Sequence, residues 1–218
     1  MASTLSPQLL TPFATQYAQL LLNGPLTNRL AHHFAHVAPE AWLAMECALL
    51  FNSRCNDLGL NGWSVAVENK RVDLTLIPPI PPDYDRSAEI PDGGVFIEFK
   101  LVGTEWWKDA WAGAATDLMG KPKKPKADYV VCLLYNILKT AKPNRRSDTE
   151  RLYSNYIASV PHSAGEFTPM NCSHAFYLFY SSEAYALSWD RPVFRRYPHG
   201  FSASMRFVWV TSAHKNPT

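Results

Sequence analysis

A chain of 218 residues is long enough for one sizeable domain with its own core and short for two. Its 47% hydrophobic and 18% charged residues exclude wholesale disorder, and no apolar run approaches the about 20 residues needed to cross a bilayer. A formal net charge of +2 is too small to announce a polyanionic partner, so any such claim must rest on local clustering.

The start, MASTLSPQLLTPF, lacks the positive stretch and apolar core of a secretion signal. The first 60 residues then read as helical. Apolar positions at helical spacing run through residues 7 to 22 and stop at Asn23-Gly24-Pro25. A second helix is expected over LTNRLAHHFAHV. A third starts at Pro39, a residue suited to a first helical turn, and runs to about Asp57. Near residue 60 the period drops to two. GWSVAVEN and RVDLTLIP read as strands joined by a hairpin turn at Asn69-Lys70.

The proline-rich PPIPPDYDRSAEIPDGG is expected to be an exposed loop. GGVFIEFKLV follows as a strand. TEWWKDAWAGAATDLMG reads as a helix with Thr104 as N-cap and Gly120 as its stop. ADYVVCLLYNIL is a buried strand, residues 148 to 159 a helix, and HAFYLFYSS and MRFVWVTSA are aromatic strands. The expected class is α/β: a helix, three strands, a helix and a strand, with helices in front and strands behind. The division is a helical extension over 1–38, a core over 39–137 and an aromatic-rich remainder over 138–218.

One strand carries an anomaly. Residues i and i+2 of a strand share a face about 6.6 Å apart. Val95, Ile97, Phe99 and Leu101 therefore cover one face, and Glu98 and Lys100 project from the other. On the preceding strand Asp73 opposes the face of Val72, Leu74 and Leu76. Two carboxylates and an ammonium on a half-buried sheet are costly unless they pair or bind something. The trio suits metal-assisted hydrolysis of a phosphodiester. Asp73, Glu98 and the Phe99 backbone carbonyl offer the hard oxygens that Mg²⁺ or Mn²⁺ takes, and Lys100 can orient or deprotonate the attacking water.

Val72-Asp73 followed by Glu98-Phe99-Lys100, with the element order around them, resembles the PD-(D/E)XK, or restriction-endonuclease-like, nuclease superfamily over residues 39 to 137. Val72 stands where the family name has Pro, and the loop between the two motif strands is long. The resemblance implies a Mg²⁺- or Mn²⁺-dependent nuclease acting on DNA, with restriction, repair, phage-defence and toxin roles all compatible. It also implies an acid on the helix before the hairpin. Glu40 sits in that helix's first turn, where the helix dipole alone favours a carboxylate. Glu46 is the favoured choice, because Trp42, Met45, Leu49 and Leu50 read as an apolar stripe around it.

Lys121, Lys123, Lys124 and Lys126 after the fourth helix, and Arg145 and Arg146 after the next strand, are candidate phosphate contacts. Trp106, Trp107 and Trp111 could stack on bases, but their helical spacing favours core packing. His32 and His36 have the i, i+4 spacing of a helical metal pair without a metalloprotease motif. No nucleotide-binding glycine motif and no G-x-S-x-G occurs. Cys47, Cys55, Cys132 and Cys172 stand singly and read as buried thiols of a reducing, cytoplasmic compartment. A double-strand cut would call for a homodimer or two successive nicks. The rival reading is a catalytically inactive domain of this fold that binds protein or nucleic acid.

Overall fold

The computed structural model describes residues 5–36, 39–69, 72–80, 93–103, 107–122, 124–139, 148–170, 172–189 and 201–212. The described residues form a mixed α/β arrangement: one eight-stranded sheet and five helices. In chain order these are α1 (Pro7–Leu22), α2 (Thr27–His36), α3 (Glu40–Arg54), β1 (Ser64–Asn69), β2 (Val72–Ile77), β3 (Val95–Gly103), α4 (Trp107–Met119), β4 (Tyr129–Lys139), α5 (Asp148–Ser159), β5 (Gly165–Phe167), β6 (Phe176–Ser181), β7 (Tyr185–Trp189) and β8 (Phe201–Ser212). None of the described helices is long and apolar enough to cross a membrane.

The sheet runs β1-β2-β3-β4-β8-β6-β5, and β7 also pairs β8. Strands β1, β2 and β3 form an antiparallel meander. Helix α4 then carries the chain over to β4, which lies parallel to β3, as a crossover of this length allows. Alternation along the central strands divides two cores. Ile97, Phe99, Val131, Leu133, Phe207 and Trp209 pack with α1, α2 and α3 on one face. Val102, Val130, Cys132, Leu134, Val208 and Val210 pack with α4 and α5 on the other. Strand β6 serves both by ordinary alternation, with Leu178 facing the second core, and its register shift between Leu178 and Tyr180 turns Phe179 and Tyr180 both to the first.

Local signals explain the frame. Ser6 caps α1 by accepting from the Leu9 N–H, and Pro7 opens the helix. The Tyr17 hydroxyl donates to the Leu43 carbonyl at 2.7 Å and ties α1 to α3. In the second core Trp111 is fully buried against Phe167 and Phe176, so it packs the interior, as its spacing indicates. Arg206, also buried, donates to the carbonyls of Ile157, Val160 and Pro161, and so satisfies the end of α5 and the turn after it.

Two strands, β5 and β7, go beyond the elements expected from sequence. Each is short and pairs with a longer aromatic strand. One sequence reading is corrected on α3. Its buried face is Leu43, Ala44, Cys47, Ala48 and Phe51, whereas Met45 is 54% and Leu49 60% exposed. Of the expected stripe, Met45 and Leu49 lie on the outer side of the helix, whereas Trp42 and Leu50 are half-buried against the core. Cys47, Cys55 and Cys132 are buried free thiols, and Cys172 is a half-buried one.

Candidate active site

The site starts where β2 and β3 part. Their ladder pairs Leu76 with Val95, Thr75 with Phe96 and Leu74 with Ile97, and goes no further. Residues of β3 with odd numbers turn their N–H groups toward β2, so Phe99 and Leu101 would lose their partners. Two carboxylates take the open rungs. Asp73 Oδ2 accepts from the Phe99 N–H at 2.7 Å, and Glu40 Oε1 accepts from the Leu101 N–H at 3.0 Å. In an extended strand the N–H and C=O of one residue point the same way, so the Phe99 carbonyl opens toward the same gap.

Glu98 and Lys100, on the other face of β3, lie under α4. Both Glu98 and Asp117 of α4 are buried. Lys100 Nζ is 2.9 Å from Asp117 Oδ2 and 3.4 Å from Glu98 Oε2. Lys124 Nζ is 2.7 Å from Glu98 Oε1 and 3.5 Å from Asp117 Oδ1, and Lys121 Nζ is 2.9 Å from that same Asp117 oxygen. Asp117 is thus shared by three ammonium groups.

The segment after α4 is built to deliver these lysines. Gly120 ends the helix at φ +91°, a conformation that costs a side chain dearly, and its N–H bonds the Thr116 carbonyl. The Lys124 N–H returns to the Lys121 carbonyl, and the Ala127 N–H to the Asp117 carbonyl. Asp128 then locks onto β3: its N–H bonds the Phe96 carbonyl and its carboxylate accepts the Phe96 N–H.

The charges do not behave alike. Burial pushes the Asp73 carboxyl above the usual range, against the Phe99 N–H and Lys100, and Glu40 adds to the rise. Burial likewise raises Glu98, opposed by Lys124, with the charge of Asp73 adding to the rise. Burial alone would raise Asp117 too, but Lys121 and Lys100 outweigh it and hold that group low. For Lys100 burial works downward, yet Asp117 beside it, with Glu98 and Asp73, outweighs this and raises it. Lys100 is therefore held as a cation. In this arrangement it is a poor base, and its chemistry suits orienting a water or balancing negative charge.

Asp73, Glu98 and Lys100, expected to converge, feel one another's charges across the β2–β3 gap. The helix acid beside them is Glu40. Glu46 instead faces Arg29 of α2, 3.9 Å away, because the α3 turn carrying it looks away from β3. Among the lysines, Lys121 and Lys124 are engaged with the acids, and Lys126 is exposed. Lys123, Arg145, Arg146, Thr104, Trp106 and most of the proline-rich loop lie outside the described residues, as do the side chains of Trp107 and His36. His33, next to exposed His32, stacks on Trp42 at 4.5 Å. Asp117 escapes the sequence reading. Its signal is its position beside the stripe Trp111, Ala114, Ala115 and Leu118, with Lys121 four residues on.

Asp73, Glu98 and the Phe99 carbonyl could serve a hard divalent cation that keeps several waters, such as Mg²⁺. They do not make a closed cage. Among the described residues no group of three or more His, Cys, Asp or Glu side chains is arranged to hold a metal. No protein-family model, curated protein or solved structure matches the chain.

Proposed function

We propose that this protein is a metal-dependent nuclease of the PD-(D/E)XK kind, hydrolysing phosphodiester bonds, with DNA the expected substrate. The observation that carries the reading is the assembly of Asp73, Glu98 and Lys100 where β2 leaves β3. The element order α3-β1-β2-β3-α4-β4, with β3 parallel to β4, is the order that resemblance implies for residues 39–137 and supports it. Bound Mg²⁺ or Mn²⁺ would supply charge stabilisation for the phosphoryl oxygens and the leaving group.

The chain's own residues divide the remaining work. Asp73 and Glu98 would hold the metal, helped by the Phe99 carbonyl. Glu40 shares the Asp73 side of the gap and fixes β3 through Leu101. Lys100, kept charged by Asp117, would hold the attacking water and the non-bridging phosphate oxygens. Asp117 touches no reacting atom and acts through Lys100 as a positioning residue.

The test is cleavage of supercoiled plasmid, linear duplex, single-stranded DNA and RNA, with Mg²⁺, Mn²⁺ or EDTA. Wild type should cut at least one substrate only with metal, and Lys100→Ala should fall about a hundredfold, the scale of losing one transition-state donor. Cleavage equal in both proteins would trace to a contaminant and sink the assignment. In the same assay Glu40→Gln should lose about tenfold, roughly 1.4 kcal/mol of barrier, while Glu46→Gln should stay within about twofold. The reverse order would move the helix acid to Glu46.

A further inference from the structure

Glu98 is buried, yet among the described residues its Oε1 has no well-aligned hydrogen-bond donor. The Lys124 ammonium lies 2.7 Å from that oxygen and neutralises it. Lys124 is brought there by a segment fixed at both ends: at Asp117 through Ala127, and at β3 through Asp128. A cation is thus delivered by the chain to a buried carboxylate oxygen. Lys121, on the same segment and of the same charge, meets Asp117 and no other acid among the described residues, and is more exposed, 42% against 19%.

We infer that Lys124 is a built-in competitor for the metal position on Glu98, so that a divalent cation enters by displacing this ammonium. The inference rests on the nuclease reading and adds its regulation. A carboxylate oxygen at metal-bond distance from a dication, about 2.1 Å, would hold the Lys124 charge too close to that dication for both to stay. Lys124 must then leave Glu98, and Asp117 Oδ1, 3.5 Å away, is its nearest alternative anchor. The lysine keeps the buried carboxylate neutralised until metal arrives, and sets the metal concentration at which the site fills.

The experiment is Mn²⁺ binding to the full chain, read from the electron paramagnetic resonance of free Mn²⁺, with no nucleic acid present. Wild type, Lys124→Met, Lys124→Arg, Lys121→Met and Glu98→Gln would be compared, each checked for folding by its thermal melt. Lys124→Met should bind Mn²⁺ about tenfold more tightly, Lys124→Arg about as wild type, and Lys121→Met within about twofold of wild type. Glu98→Gln should lose the site. An equal gain in both methionine variants would reduce the effect to general charge and overturn the inference. So would equal affinity in wild type and a folded Lys124→Met, and in both cases the metal site itself would stand. Wild-type binding too weak to saturate, unchanged in Lys124→Met and in Glu98→Gln, would overturn the metal-dependent reading together with the inference.

Discussion

Asp73→Asn and Glu98→Gln will each remove at least about a thousandfold of metal-dependent cleavage, equivalent to roughly 4 kcal/mol of barrier, and neither will weaken the fold. Both side chains are carboxylates that burial pushes above their ordinary range. The folded protein therefore binds these two protons more tightly than the unfolded chain does. Their contribution to stability is fully present below the ordinary carboxylate values and is lost as pH rises through the raised folded ones. Ionising either one puts charge where burial makes it least welcome. The amides remove that charge and keep the shape. In Asp73→Asn the side-chain amide oxygen can still accept the Phe99 N–H, and in Glu98→Gln both Lys100 and Lys124 keep Asp117 while the amide oxygen can still face Lys124. Unfolding free energy at pH 7 should match wild type or exceed it by about 1 kcal/mol, the trade common to sites selected for function over stability. Urea unfolding of the variants beside the cleavage assay checks both halves. A loss of more than about 2 kcal/mol in either variant would make the carboxylates structural props. That outcome would favour a binding domain that uses this fold without catalysis.

The pattern that makes this site legible is short-range. Alternation alone puts Glu98 and Lys100 on the face opposite Ile97 and Phe99, and the two cores divide β3 in that way. Helix α1 can be bounded at Pro7 and Leu22 because its cap, its proline and its stop are all local. What the chain hides is which side of a helix meets the sheet. On α3 apolar residues occur on both sides, so Met45 and Leu49 mimic a buried stripe while Ala44, Cys47 and Ala48 make the contact. The preference for Glu46 over Glu40 follows from that mimicry. Glu40 reaches β3 because the first turn of α3 ends over the rung that β2 vacates, a fact of tertiary placement 61 residues apart in sequence. Lys124 reads as a phosphate contact for a similar reason. Nothing in GKPKKPKAD tells which lysine the turn after Gly120 sends inward.

Asp117→Ala will be the most destabilising single change at the site, by about 3 kcal/mol at pH 7, the scale of stripping one partner from a buried ion cluster. One carboxylate serves Lys100, Lys121 and Lys124, and the first and last of these are largely buried. Its removal leaves two confined ammoniums to share Glu98. The pH dependence has the opposite sign to that of Asp73 and Glu98. Lys121 and Lys100 hold Asp117 below the ordinary carboxylate range despite its burial. The stability it contributes is present above the ordinary value and lost as pH falls through its depressed folded one. The gap between wild type and Asp117→Ala in urea unfolding should therefore be wide at pH 7 and narrow in acid, below the usual carboxylate range. A second readout separates positioning from propping. Asp117 outweighs the burial that would lower Lys100, so in Asp117→Asn the Lys100 ammonium should lose its proton at lower pH. The alkaline limb of cleavage should move down with it. A gap under about 1 kcal/mol at both pH values would break the stability argument. An unmoved alkaline limb in a folded Asp117→Asn would leave Asp117 a structural residue and return Lys100 to working without it.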